Sequence, residues 1–178
     1  MVYRYLANNE GVLSFDGNYW ELYPLPNKTI VWSIEMANNK LFVGGQDEIG
    51  YLSPNDGGQL VFHSLKSLLD ESDQKFADIW NIVHVGEDIF FRSISRLFKL
   101  NKGKMKVYQP SSTWFFLGKF QNKVIAHDET RGIMMYKNGK GVKQDNRTAL
   151  EYFKEGIRNG DDRCWAEMAL LYSDRLRE

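Results

Sequence analysis

The sequence predicts a mainly β fold, with about three incomplete β-propeller blades in an open arc followed by a C-terminal α-helical hairpin. Three observations predict it. A strand–turn–strand pattern recurs at a spacing of tens of residues, the mark of an array of small antiparallel sheets. Aromatic content is high, with 5 Trp, 9 Tyr and 11 Phe, and aromatic side chains favour strands. After residue 138 the apolar spacing shifts from the alternation of strands to the period of a helix. The expected domains are therefore 1–138 for the blades and 139–178 for the hairpin.

The recurring unit is a β-rich stretch, a small residue, a short turn and a second β-rich stretch beside an aromatic. It occupies 2–7 with 11–15, 40–44 with 50–52, 88–93 with 96–98, and 123–126 with 132–136. A further apolar strand precedes the second, third and fourth units, at 30–34, 79–83 and 114–117. The first unit has no such strand before it. Turn residues separate the runs, among them Asp16-Gly17, Asn38-Asn39, Asn55-Asp56-Gly57-Gly58 and Asn101-Lys102-Gly103. Residues 64–70 read as a short helix or turn on a loop between blades. An arc of this kind does not close, and its strand edges invite association.

The tail follows helical rules. Asp145 suits a helix cap, Ala149, Leu150, Phe153 and Ile157 share one face, and Gly160 suits the stop. Asp161 or Asp162 caps a second helix, whose apolar stripe is Trp165, Met168, Ala169, Tyr172 and Leu176. A short turn between them makes an αα-hairpin.

Formal net charge is zero, and basic and acidic side chains balance on both sides of residue 138. This removes the electrostatic case for nucleic acid or an anionic membrane as partner. The single cysteine, Cys164, has no partner for an internal disulfide. No apolar run approaches the roughly 20 residues of a membrane span. The stretch from Met1 to Tyr5 lacks the apolar core of a signal peptide, so the chain as written is expected in the cytoplasm.

No constellation calls for a metal, a cofactor or catalysis. His63, His84 and His127 lie far apart, without the spacing of metal ligands. Asp47-Glu48 and Asp70-Glu71-Ser72-Asp73 offer carboxylates, but no calcium loop is formed. Gly139-Lys140-Gly141 is too short for a phosphate loop and reads as the loop between repeat helices. The tryptophans carry more. Trp32 and Trp80 hold equivalent places, followed by Ser33-Ile34 and Asn81-Ile82; Phe115 takes that place in the next unit, beside Trp114. Packing between blades is the plainer use for such rings, and an aromatic rim for a carbohydrate or peptide is the functional one. Arg92 stands where the other units have a small residue, as a polar lining near the axis or as half of a surface ion pair.

Two resemblances follow. Ala7-Asn8-Asn9-Glu10-Gly11-Val12-Leu13-Ser14-Phe15-Asp16-Gly17 with Trp20, then Leu25-Pro26-Asn27-Lys28 and Leu41-Phe42-Val43-Gly44-Gly45-Gln46-Asp47-Glu48-Ile49-Gly50-Tyr51, carry the first. That part resembles the propeller sensor domains of Bacteroidetes two-component and LuxR-like regulators. The resemblance implies a periplasmic array of many blades, followed by a membrane span and a kinase or DNA-binding region. The second rests on Tyr136, Gly139, Gly141-Val142, Asp145, Ala149, Tyr152-Phe153, Gly160, Cys164, Met168, Ala169 and Tyr172. The tail resembles a Sel-one-like helical repeat, related to the tetratricopeptide repeat, which implies protein interaction. The two meet at 136–141, where one demands a strand and the other a helix. A natural β-to-α boundary fits, and so does a recombined or mispredicted reading frame.

The expected function is a non-enzymatic sensory or ligand-recognition module, a piece of a propeller-type regulator. The alternative is an interaction scaffold acting through the helical repeat. Expected partners are a glycan or peptide, or the missing blades of a larger propeller. The expected contact residues are Trp32, Trp80 and Arg92 at the blade ends and Tyr152 and Tyr172 on the helix face.

Overall fold

The computed structural model describes residues 3–120, 122–137 and 140–142, with Leu150, Glu151, Lys154, Glu155, Ile157 and Arg158. Among them stand four separate antiparallel sheets, each built from strands consecutive in the chain. Sheet one holds β1 (Arg4–Asn8), β2 (Gly11–Phe15) and β3 (Trp20–Tyr23). Sheet two holds β4 (Val31–Ala37), β5 (Lys40–Gly45), β6 (Ile49–Pro54) and β7 (Leu60–Ser64). Sheet three holds β8 (Asn81–Val85), β9 (Asp88–Arg92), β10 (Leu97–Asn101) and β11 (Lys104–Tyr108). Sheet four holds β12 (Trp114–Phe120), β13 (Lys123–Asp128), β14 (Gly132–Lys137) and β15 (Lys140–Val142). The expectation of about three incomplete blades is thus corrected to four sheets, three of them with four strands.

Turn chemistry sets the meanders. Asn38 and Asn39 both take positive φ, 51° and 58°, which lets a two-residue turn follow the twist of β4 and β5. Lys102 and Gly103 do the same between β10 and β11. The second strands are the most enclosed. In β5, β9 and β13 nearly every residue is buried: a strand pairs on each edge of all three, and a sheet covers each face of β5 and β9. The last strands β7 and β11 are largely open to solvent.

Sheet packs on sheet through rows of side chains set by the register. Leu41 pairs with Leu52 and Leu52 with Phe62, and that row meets Val12 and Leu25. Ile89 pairs with Leu100 and Leu100 with Met105, and that row meets Phe42 and Ile49 of sheet two. Val124 pairs with Tyr136 against Val83, Phe90 and Leu97 of sheet three. The inner strands of neighbouring sheets touch as well, β1 with β4, β4 with β8, and β8 with β12. Residues 64–70 do form a turn between blades, the short 3-10 turn Lys66–Leu68, and a second, Glu71–Asp73, follows it. Leu65, Leu69 and Phe76 around them plug the core between sheets two and three, where Phe76 meets the edge of Phe98 at 5.0 Å. Gly44 allows the closest approach there: an added Cβ would lie 2.3 Å from Ile79 Cγ2.

The tail differs from expectation in one described place. Lys140–Val142 pairs with β14 as the outer strand of sheet four, so Lys140 and Gly141 belong to a strand and not to a loop between helices. The six described residues between 150 and 158 have helical backbone. The second helix, the turn before it and both Tyr152 and Tyr172 lie outside the described residues, and the helical hairpin is not among what the structure shows.

Sheet one carries the same kind of row, Leu6 paired with Leu13 and Leu13 with Leu22, but no sheet among the described residues lies against that row. Leu6 and Leu22 are accordingly 49% and 38% exposed, and Trp20 lies open beside them, stacked on Phe15 at 4.7 Å. A wet apolar face of this kind drives association. Light scattering of the purified chain is expected to show oligomers, and the double substitution Leu6→Glu with Leu22→Lys is expected to shift the distribution toward monomer. A monodisperse monomer in the unsubstituted chain is the contrary result.

Candidate functional site

The sheets share one end at which the first strands begin and the second strands turn into the third. The backbone there places aromatics outward. In sheet two the register of β4 against β5 shifts between Val31 and Ser33, leaving Trp32 in a bulge; in sheet four it shifts between Trp114 and Phe116, leaving Phe115 in the same position. A bulged residue escapes the in–out alternation of its strand. Trp32 and Phe115 are 39% and 45% exposed while Val31, Trp114 and Phe116 are buried. Trp80 precedes β8, its backbone N–H donating to the Arg92 carbonyl at 2.9 Å, and is 37% exposed.

Trp32 and Trp80 come together. Their ring centroids lie 4.7 Å apart with planes tilted by 37°, and the Trp32 indole N–H donates to Asp78 Oδ1 at 2.9 Å. The contact runs from sheet two to the start of sheet three, so the two rings do pack between blades, at a partly exposed end and not in the core. Phenylalanines and aliphatic side chains fill the cores, Phe42 against Phe91 and Phe76 against Phe98, while the two indoles form an open ledge above them. Phe115 meets the His127 ring edge-on at 5.7 Å.

Buried polar groups hold this end in place. Arg92 is 8% exposed. Its Nε donates to Asn81 Oδ1 at 2.7 Å and one terminal nitrogen donates to the Trp114 carbonyl at 2.6 Å. The guanidinium therefore ties sheet three to the start of sheet four beneath the rim, as a support for Trp80 and Trp114. Asp47, at φ 50°, accepts the backbone N–H groups of Phe76 and Ala77 at 2.8 and 2.7 Å and straps the linker to sheet three. Glu48 is buried and accepts the Ser64 hydroxyl at 2.7 Å. Asp128 accepts backbone N–H groups from Ser111, Thr130 and Arg131 at 2.6, 3.0 and 2.9 Å. Burial by itself pushes the Asp128 carboxyl up; the three N–H groups and the nearby Arg131 charge outweigh it and hold the carboxyl below its ordinary value.

Of the remaining titratable groups that the sequence singled out, His84 Nδ1 lies 2.6 Å from Glu35 Oε1 across the first strands of sheets two and three. His63 stacks on Tyr51 at 4.9 Å. No group of three or more His, Cys, Asp or Glu positioned to hold a metal occurs among the described residues, and no helix among them is long and apolar enough to cross a membrane. Sequence reasoning missed Asp78, whose signal was its place two residues before Trp80, and a tyrosine-lined cleft beside sheet one, which gave no signal.

Two substitutions check the supports. Arg92→Leu removes a buried charge and leaves Asn81 Oδ1 and the Trp114 carbonyl without that donor; it is expected to cost about 2–4 kcal/mol in urea unfolding. Asp128→Asn puts an amide where three N–H groups need an acceptor, at a cost of about 1–3 kcal/mol near neutral pH. Because the folded pKa of Asp128 is depressed, its contribution is full above the ordinary carboxylate pKa of about 4 and is lost as pH falls from there through the lower folded value. The gap between Asp128→Asn and the unsubstituted chain is therefore expected to narrow under acid, as read by unfolding at a series of pH values.

No family model matches the chain, and no curated protein matches it. Solved structures do. The extracellular domain of the putative one component system BT4673 from B. thetaiotaomicron superposes with a TM-score of 0.57 at 16% identity, over 78% of this chain and 19% of that one. The WD40 β-propeller domain of Doa1 gives 0.56 at 14% identity, over 79% and 49%. The computationally designed Ika8 protein gives 0.53 at 13% identity, over 78% and 45%. The chain thus spans about a fifth of the BT4673 domain and about half of the Doa1 propeller. At such identities the likeness speaks of fold alone, and the fold is that of β-propeller blades.

Proposed function

We propose that this chain is a non-enzymatic recognition module of a sensory protein, with the Trp32–Trp80 ledge as its contact surface. The observation that carries the reading is the pair of indoles, in contact at 4.7 Å yet each more than a third exposed above filled cores. Rings held in contact by a bulge and an Asp78 hydrogen bond present broad apolar faces at little entropic cost. Such faces suit a sugar ring or a flat peptide group, so the ligand class is glycan or peptide. The carboxylates of Asp47, Glu48 and Asp128 are engaged by backbone N–H groups or Ser64, which supports binding over turnover. Arg92 contributes as a positioning residue beneath the ledge.

The likeness to an extracellular domain supports a setting outside the cytoplasm, and the short span against that domain supports work within a larger array of blades. A scaffold acting through a Sel-one-like repeat with Tyr152 and Tyr172 is favoured by no observation among the described residues. Glycan and peptide arrays probed with the chain and with Trp80→Ala test the proposal. The expected result is saturable binding of one class, weakened about tenfold by Trp80→Ala, which matches about 1.4 kcal/mol of ring contact. Equal binding by the two, or turnover of an arrayed ligand, is the contrary result.

A further inference from the structure

A second cavity lies away from the ledge, between sheet one and the turn joining β6 to β7. It holds about 480 Å³, within the range of small-ligand sites. The register of sheet one brings its wall together: Tyr5 pairs with Ser14 and Ser14 with Glu21, so these side chains share the face toward sheet two. Tyr3 stacks on Tyr5 at 6.3 Å, and Tyr23 and Tyr19 complete the aromatic lining. The opposite wall, Pro54 and Gly57–Leu60, carries no charge. Two carboxylates face the space, Asp16 and Glu21, and no Lys, Arg or His is among the described residues that line it.

Hydrogen bonds position the carboxylates of the wall. Asp16 Oδ1 accepts the backbone N–H groups of Asn18 and Tyr19 at 2.7 and 2.8 Å, which shapes the turn and seats Tyr19 at the mouth. Those bonds hold the Asp16 carboxyl below its ordinary value. The Tyr23 hydroxyl donates to Glu21 Oε2 at 2.5 Å. Burial, then the Glu21 contact, pushes the Tyr23 phenol up to about 12, and burial raises Tyr5. Near neutral pH Tyr5 and Tyr23 are therefore uncharged and Asp16 is anionic.

We propose that this cleft binds an organic cation, an ammonium or guanidinium group on an apolar stem. The ring faces attract the cation and the carboxylates balance it, while the absence of a competing basic side chain in the lining leaves that role to a ligand. The stem lies along Tyr3 and Tyr5. A polyamine and the side chain of a basic peptide share this chemistry.

Titration calorimetry of the full chain at low salt tests it, with spermidine in one arm and an acetylated, amidated Gly-Lys-Gly-Arg-Gly peptide in the other. Binding in either arm supports the proposal and names the source. The expected result is one saturable site, weakened at least fivefold by Asp16→Asn, by Glu21→Gln and by Tyr19→Leu, and unchanged in Trp80→Ala. Asp16→Asn keeps the turn acceptor, and circular dichroism of each variant reports its fold. No saturable binding in either arm overturns the proposal, as does equal binding by Asp16→Asn with Glu21→Gln or by a peptide whose basic residues are made neutral. Loss of cation binding in Trp80→Ala also overturns it, by moving the site to the ledge. The ledge proposal stands or falls separately, on the glycan and peptide arrays.

Discussion

Each sheet after the first depends on laying one row of apolar side chains on the sheet before it. The row crosses the sheet at a fixed level of the ladder: Leu41, Leu52 and Phe62 in sheet two, Ile89, Leu100 and Met105 in sheet three. A slip of one residue would turn the row to the wrong face, so the register of each meander is set by the neighbour it covers. This explains why the middles of β5, β9 and β13 are apolar, and why Arg92 stands at the very end of β9, where its charge is met by Asn81 and the Trp114 carbonyl. The same dependence explains sheet one. Its leucines obey the rule, and they stand exposed where none of the described sheets lies against them.

Polar groups do a different task. Apolar rows fix the distance between sheets without fixing how the linkers return to the rim, since the hydrophobic effect has no direction. Asp47, Glu48, Arg92 and Asp128 supply direction. Each bonds backbone or side-chain groups of a linker or neighbouring strand, and together they hold the end at which the aromatics emerge.

Much of this was legible in the sequence. The two-residue turn at Asn38-Asn39, the buried runs of β5 and β9 and the equivalence of Trp32, Trp80 and Phe115 all follow from local pattern. The outer strands β7 and β11 were not legible, because Leu60–Ser64 and Lys104–Tyr108 are covered on one side only and mix polar with apolar residues. For that reason the units read as incomplete. The outward placement of Trp32 and Phe115 was hidden as well: a bulge is a property of two strands taken together, and neither strand announces it alone. The partners of Arg92 lie 11 and 22 residues away, and the tyrosine cleft takes its second wall from residues 54–60. Only the assembled sheets bring such groups into one place.

The bulges under Trp32 and Phe115 separate two kinds of inheritance. Buried residues on the regular ladder are bound to their neighbours' identities, since they point into a core shared by two sheets. A bulged residue is released from that agreement. Positions 32 and 115 can therefore drift in chemistry while the frame beneath them stays the same, and an array of such blades can diversify what it recognises one sheet at a time.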